Sequence, residues 1–395
     1  MSNLPRVVLL LETSIEYGRA LLRGVARYER LHGPWSVYVE PGHFQHILPK
    51  MNTSVPVGMI ARMTSPTEVR VLKRVGCPVI VLEPSSDVPA LSAARHGFHS
   101  IVTDSPAIAR LAAQHLLGLG LTRFGFCGYA KCPWSETRRT AFIAHLKAQG
   151  FPCSVFTEPV DVGGQGVLSQ KRLKAWLLSL PKPAGVMACN DACGRQVVAA
   201  CSEAGLAVPD QVAVIGVDND ELLCELADPP LSSVVLDCEQ AGYAAAELLD
   251  GLMKGNRPNA PQTISVRALT VMERRSTQPI LVQDALVATA LRFIRDTVTR
   301  LISVRDVTDH VGVSRRTLER RFEQVFGHGI YDEITDCRLV RAKRLLLETD
   351  LPSYRVAEAA GFSNIQPMLR LFHRQEGCSP LAYRAKARTS KPDLS

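Results

Sequence analysis

Twice in its last quarter the chain spells a short helix, a tight glycine turn and a longer helix opened by a serine. The first copy runs through 304–311, then Gly312-Val313-Ser314, then 315–326. The second runs through 354–360, then Gly361-Phe362-Ser363, then 364–374. The copies lie about fifty residues apart and their internal spacing matches. Such units present a recognition helix to the major groove of DNA, and two matched copies in one chain make DNA binding the leading expectation.

At 395 residues the chain exceeds one ordinary core, so two or three domains are expected. Its 46% hydrophobic and 21% charged residues describe a globular protein. The net charge of +8 is unevenly spread, with 19 Lys and Arg against 14 Asp and Glu from Ile280 onward. A basic excess there favours a polyanionic partner. Eleven cysteines without a C-x-x-C pair read as reduced, mostly buried thiols of a cytoplasmic protein. The apolar run 7–11 is too short for a signal peptide, and no run reaches the roughly 20 residues of a membrane span. Neither metal nor cofactor is expected. No P-loop, H-E-x-x-H or G-x-S-x-G occurs, and the glycines of 163–166 lack the dinucleotide spacing, which argues against an enzyme.

The first 275 residues alternate short β-branched runs with amphipathic stretches. Strands are expected at 7–11, 36–40, 58–61, 79–82, 124–127, 185–188 and 212–217. Helices are expected at 18–31, 107–117, 137–149, 196–204 and 240–253. The alternation implies parallel sheets covered on both faces, in two α/β lobes with a ligand cleft between them.

Polar groups stand where strands end. Thr13 and Ser14 follow the first run as candidate helix caps, with Tyr17 one turn on. Asp104, Asn190 with Asp191, and Asp218 each close a run, while Trp134 and Arg138 follow Gly128. Carboxylates, a guanidinium and aromatic faces are the usual means of holding a neutral polyol. Taken singly, an acid at a strand end also reads as a cap or turn former, and Tyr17 or Trp134 as packing. Both readings stand for each residue.

The segments 185–191 (GVMACND) and 208–220 (VPDQVAVIGVDND), followed by Pro230-Leu-Ser-Ser-Val234, resemble the LacI/GalR type of periplasmic-binding-protein-like sensor. The resemblance implies that Asp104, Arg138, Asn190 and Asp218 line an effector cleft. Those repressors begin with a helix-turn-helix, whereas this chain begins at its first strand, so its DNA-binding part is expected elsewhere.

Beyond the connector expected at 276–283, the pattern is helical from 284 to 388, with a tail at 389–395. A long helix at 331–348 joins the two helix-turn-helix units. Its Arg338, Arg341, Lys343 and Arg344 read as a solvated face, with phosphate contact as the alternative. In 315–326, Leu318, Phe322 and Val325 fall on one face, which turns Arg315, Arg316, Glu319 and Arg320 outward. Ser314 caps this helix beside a phosphate. Arg316 and Arg320 suit guanine and Glu319 a cytosine amino group, with Glu–Arg pairing along the helix as the alternative. The second recognition helix opens with a Ser363-x-x-Gln366 capping box. Leu369 and Phe372 point inward, leaving Ile365 for a thymine methyl, Gln366 for adenine and Arg370 as a further reader.

Gly312-Val-Ser314, Leu318-x-x-x-Phe322, Gly327, Arg338-Leu339, Gly361-Phe362, Gly377, Ser379-Pro380 and Tyr383-Arg384 make this segment similar to the AraC family DNA-binding domain. Thr308 and Pro367-Met368 depart from its usual residues. A LacI-like sensor carrying a C-terminal AraC-type reader resembles the bacterial xylose operon regulator family. The resemblance implies a homodimeric, cytoplasmic activator of pentose catabolism that binds double-stranded DNA, takes a sugar effector such as D-xylose, and works with RNA polymerase. A repressor, a constitutive DNA-binding protein without effector, and a polyol enzyme with a DNA-binding tail stand as alternatives.

Overall fold

The structure, a computed structural model, describes residues 4–40, 57–62, 65–82, 93–159, 166–278, 284–298, 300–349 and 351–389. Of the glycine run 163–166, all but Gly166 lies outside them. Two compact units divide the chain at Pro279.

In the first unit the order is β1 (Arg6–Leu10), α1 (Glu16–His32), β2 (Ser36–Val39), β3 (Gly58–Arg62), α2 (Pro66–Leu72), β4 (Val79–Leu82), α3 (Ala93–His96), β5 (His99–Thr103) and α4 (Ser105–Gly118). It continues through β6 (Phe124–Ala130), α5 (Pro133–Ala148), β7 (Cys153–Pro159), α6 (Gln170–Ser179), β8 (Ala184–Ala188), α7 (Asp191–Glu203) and β9 (Val212–Val217). It ends with α8 (Glu221–Glu225), β10 (Ser232–Leu236), α9 (Cys238–Met253), β11 (Thr263–Val266) and β12 (Ala268–Met272).

Two six-stranded sheets result, ordered β11-β5-β4-β3-β1-β2 and β12-β10-β9-β8-β6-β7. Among the described strands, only β12 runs antiparallel to its neighbour. Parallel strands have both faces covered by helices, so β4, β8 and β9 are apolar runs buried along their whole length. The periodicity did not reveal β7 or β10, because serines and threonines interrupt the apolar pattern. In β10 the fully buried Ser232 and Ser233 are satisfied by hydrogen bonds.

Three times the chain passes from one sheet to the other: after β5, after β10 and between β11 and β12. The passages are laced together. Asp104 N–H donates to the Val266 carbonyl at 3.1 Å, and Asp237 N–H to the Arg267 carbonyl at 2.9 Å. The Arg267 guanidinium returns to the Asp237 carboxylate at 2.6 Å. Parallel passages of this kind are where two lobes hinge, and Asp104 sits in one of them.

The connector expected from 276 begins later. Ser276 and Thr277 are 0% and 1% exposed and belong to a 3-10 turn packed under β10. Their hydroxyls are hydrogen-bonded inward, which a reading of polarity alone takes for solvent exposure.

The second unit holds α10 (Ala285–Thr297), α11 (Val304–Val311), α12 (Arg315–Phe326), α13 (Ile330–Glu348), α14 (Ser353–Ala359), α15 (Ile365–Glu376) and α16 (Pro380–Thr389). One small core gathers Leu291, Val307, Leu318, Phe322 and Ile334, and the other Leu346, Val356, Met368 and Phe372. The helix α13 contributes to both and so joins them. Three of its basic residues are tied to neighbouring segments and so do not form a simple solvated face. The Arg338 guanidinium donates to the Ile302 carbonyl at 2.9 Å, Arg341 to the Ala359 carbonyl at 3.0 Å, and Lys343 pairs with Glu376. The side chain of Arg344 lies outside the described residues. Among the described residues no helix is long and apolar enough to cross a membrane.

Gly312 and Gly361 close the two turns at φ 75° and 87°. A Cβ on Gly312 meets open space, whereas one on Gly361 would stand 2.2 Å from the Val298 carbonyl oxygen. Left-handed backbone costs a side chain about 1–2 kcal/mol. Gly312→Ala should therefore lower the stability of this unit by about that amount, and Gly361→Ala by distinctly more. Chemical denaturation of the full chain measures both, and equal losses would contradict the close approach at Gly361.

Candidate ligand cleft and nucleic-acid interface

In the second lobe Arg138, on α5, is 2% exposed and forms the centre of the candidate site. Its guanidinium donates to the Cys189 carbonyl at 2.5 Å and to Asp218 Oδ1 at 3.3 Å. Trp134, one turn earlier, lays its ring 5.2 Å from the guanidinium carbon and meets Tyr129 edge-on. Asp218 follows β9 directly, and it and Asn219 take left-handed φ values of 101° and 51°. Asp and Asn tolerate that conformation better than most residues, and here it turns the Asp218 carboxylate onto Arg138.

Behind this pair lies Asp191, 2% exposed. Its Oδ2 accepts the Asp220 N–H at 2.7 Å and its Oδ1 the Ser233 hydroxyl at 2.6 Å. Burial, with the Asp218 charge nearby, pushes its carboxyl well above the usual range. The residue is thus an internal brace for the turn after β9. Asn190 caps α7, accepting from Cys193 N–H at 2.9 Å, and Asp104 caps α4 through Ala107 N–H at 2.9 Å. Both are therefore caps, the simpler reading, and both also stand at strand ends where a cleft is expected. All eleven cysteines are free, and burial holds the thiol of Cys189 protonated.

From the first lobe, Tyr17 is buried and its hydroxyl meets Thr103 Oγ1 at 3.1 Å. Neither Thr13 nor Ser14 caps α1, whose N-cap is Ile15 with no side-chain bond. The cap comes instead from the opposite lobe: Asp220 Oδ2 accepts the Glu16 N–H at 3.1 Å and the Arg19 guanidinium at 2.8 Å. Arg19 also donates to the Thr13 carbonyl at 3.2 Å, which places Thr13 beside this clasp. The clasp is not legible in the sequence, because its partners Glu16 and Arg19 lie 204 and 201 residues before Asp220. Arg138, Asp218 and Trp134 together offer a fixed donor, a carboxylate acceptor and an aromatic face.

In the second unit Ser314 caps α12 by accepting from Thr317 N–H at 3.2 Å. Arg315, Arg316 and Arg320 are exposed, and among the described residues no acid pairs with Arg316 or Arg320. Glu319 is engaged elsewhere: its Oε2 accepts the Ile330 N–H at 3.1 Å at the start of α13, and Arg315 lies 3.5 Å from its other oxygen. This carboxylate makes the Glu–Arg pair along the helix, the alternative reading, and also holds the start of α13. Val325 is 41% exposed and so not part of the core.

The second recognition helix begins one residue later than the capping box implied. Asn364, not Ser363, is the cap, accepting from Gln366 N–H at 3.0 Å. Pro367 is then the third helical residue, where a missing N–H costs little. Met368, Leu371 and Phe372 form the buried face in place of Leu369. Ile365 is half-buried against them, while Ser363, Gln366 and Arg370 are exposed. Together, α12 and α15 present arginines and capped N-termini outward, the equipment of a DNA-reading surface.

Comparison with known proteins follows this geometry. A periplasmic binding protein-like domain matches residues 113–277 and a helix-turn-helix domain matches 307–386. The chain is 32% identical over 384 residues to the xylose operon regulatory protein of Haemophilus influenzae, covering 96% of this chain and 98% of the relative. It is 30% identical to that of Escherichia coli strain K12, covering 96% of each. A solved xylose-binding transcription activator superposes with a TM-score of 0.80 at 29% identity, covering 96% of this chain and 98% of that one. These relatives are named as regulators, not enzymes.

Asp191→Ala would leave the Asp220 N–H and the Ser233 hydroxyl without their acceptor. At roughly 1–3 kcal/mol for each of the two orphaned buried groups, the first unit should lose about 2–6 kcal/mol. Urea denaturation followed by circular dichroism reads the loss, and a change under about 0.5 kcal/mol would show that the brace carries nothing.

Proposed function

The chain belongs to the family of xylose operon regulatory proteins, and from that premise we propose that it is a cytoplasmic, D-xylose-responsive transcription activator acting as a homodimer. The observation that carries the sugar site is the Arg138–Asp218 pair under Trp134, held at the end of β9. Vicinal hydroxyls of a pentose donate to Asp218 and accept from Arg138, while the indole covers the C–H face of the ring. Asn190, Asp104 and the rim at Thr13, Ser14 and Tyr17 complete the enclosure as the lobes close. Hydrogen bonds to charged groups contribute about 1.5–3 kcal/mol each, so this one pair accounts for much of a small ligand's affinity.

A ligand shifts the protein only by binding its two states unequally. The asymmetry lies in the two walls: Arg138 and Asp218 belong to one lobe, and Tyr17 with the α1 rim to the other, so a sugar makes its full set of contacts only in the closed form. Closure then sets how the two second units of a dimer span paired half-sites. There Arg316, Arg320 and Arg370 read base edges, and Ser314, Arg315, Ser363, Gln366 and the helix N-termini fix register against phosphates and adjoining bases. RNA polymerase is the partner through which the bound dimer activates.

Calorimetric titration of the full chain with D-xylose, L-arabinose, D-ribose and galactose tests the reading. D-xylose should bind best, and Asp218→Asn should weaken it at least about tenfold, the equivalent of 1.4 kcal/mol. Asn is the informative substitution because it accepts the left-handed backbone that Ala would strain. Heat from none of the four sugars, or undiminished binding in Asp218→Asn, would overturn the assignment of the cleft.

A further inference from the structure

The turn that presents Asp218 to the cleft is also tied, on its other side, to the last residues of the first unit. Asn219 donates its N–H to Ser233 Oγ at 3.0 Å, and its Oδ1 accepts from the Arg274 guanidinium at 2.9 Å. The Arg274 side chain is 10% exposed and donates also to Glu225 Oε1 at 2.8 Å and the Leu231 carbonyl at 3.1 Å. Its backbone N–H reaches Ser232 Oγ at 2.7 Å.

The 3-10 turn that follows is fastened the same way. Ser276 Oγ donates to the Val214 carbonyl at 2.6 Å, on the very strand whose end carries Asp218. Thr277 Oγ1 meets Ser232 Oγ at 2.7 Å and His115 Nε2 at 2.7 Å. His115 belongs to α4, the helix that leaves the first passage between sheets at Asp104. The chain exit is therefore bonded to two places that a closing ligand engages or moves: the Asp218 turn and the helix beyond Asp104. From Thr277 only seven residues intervene before α10 begins at Ala285.

A dense buried polar network is an expensive way to end a domain, since apolar packing holds a strand more cheaply. It does fix one geometry against another, because its bonds are directional and short. From these contacts we infer that Asn219 and Arg274 are the positioning residues that carry occupancy of the cleft to the connector. Asn219 shares its turn with Asp218, so a ligand that draws on Asp218 shifts the acceptor of Arg274 and with it the exit turn. This relay rests on the reading of the chain as a sugar-responsive DNA-binding protein.

The test separates sugar binding from its consequence. D-xylose affinity is measured by calorimetry, and the ratio of DNA affinities with and without saturating D-xylose by fluorescence anisotropy. The probe is a labelled duplex carrying the site that the wild-type chain protects in a footprint. Asn219→Gly keeps the left-handed backbone and the N–H to Ser233 but deletes the acceptor, while Asn219→Asp restores an acceptor. Coupling factors between sites are typically about 5–150-fold. The Gly variant should hold its D-xylose affinity within about threefold while its coupling ratio falls toward one, and the Asp variant should keep the wild-type ratio. A Gly variant that couples like the wild type overturns the relay alone, and so does an Asp variant that fails together with Gly, which would mark the position as merely structural. A wild-type chain that neither binds D-xylose nor changes its DNA affinity overturns the functional reading, and the relay with it.

Discussion

One buried carboxylate sets the geometry on which the first unit depends. Asp191 accepts from the Asp220 N–H and the Ser233 hydroxyl and so pins the end of β9 to the start of β10. Three consecutive residues hang from that pin and face three ways. Asp218 meets Arg138 on α5, Asn219 meets Arg274 at the chain exit, and Asp220 caps α1 in the opposite lobe. Gly216 is part of the same arrangement, because a Cβ there would stand 2.2 Å from Asp191 Oδ1. A carboxyl with its ionisation suppressed by burial is costly to keep, and such a group is retained where it specifies one arrangement among several.

The second unit follows a similar logic with opposite charge. Its long helix α13 turns Arg338 and Arg341 onto carbonyl oxygens of neighbouring segments, so guanidinium groups, not apolar surface alone, hold the two helix-turn-helix halves together. Burial lowers the pKa of Arg338, and the carbonyl contact offsets part of that cost. The arginines of α12 and α15 that lack such partners face outward. Position on the fold, more than residue type, separates the braces from the readers.

Much of this was legible where the signals are local. The bounds of α12 follow from the cap at Ser314 and the turn at Gly312, both within a few residues of the helix they define. The central strands were equally plain, because burial on both faces demands an unbroken apolar run. What escaped the sequence involves partners far apart along the chain. Asp191, Asp218 and Asp220 look alike in a string, yet one braces a turn, one pairs with Arg138 and one clasps the opposite lobe. The N–H of Ile330 that Glu319 accepts lies eleven residues on, at the start of α13, so its partner is not legible from the recognition helix alone. Ser276 and Thr277 looked like a linker because hydroxyls satisfied inside a fold are indistinguishable, in sequence, from hydroxyls in water.

Amide hydrogen exchange of the full-length chain, with and without saturating D-xylose, tests the central claim most directly. Ligand in the cleft should slow exchange at the end of β9 through Asp220, at the passages around Asp104 and Asp237, and at the exit turn from Arg274 to Thr277. Slowed exchange confined to other surfaces, with these three regions unchanged, would contradict a sugar site built on Arg138 and Asp218.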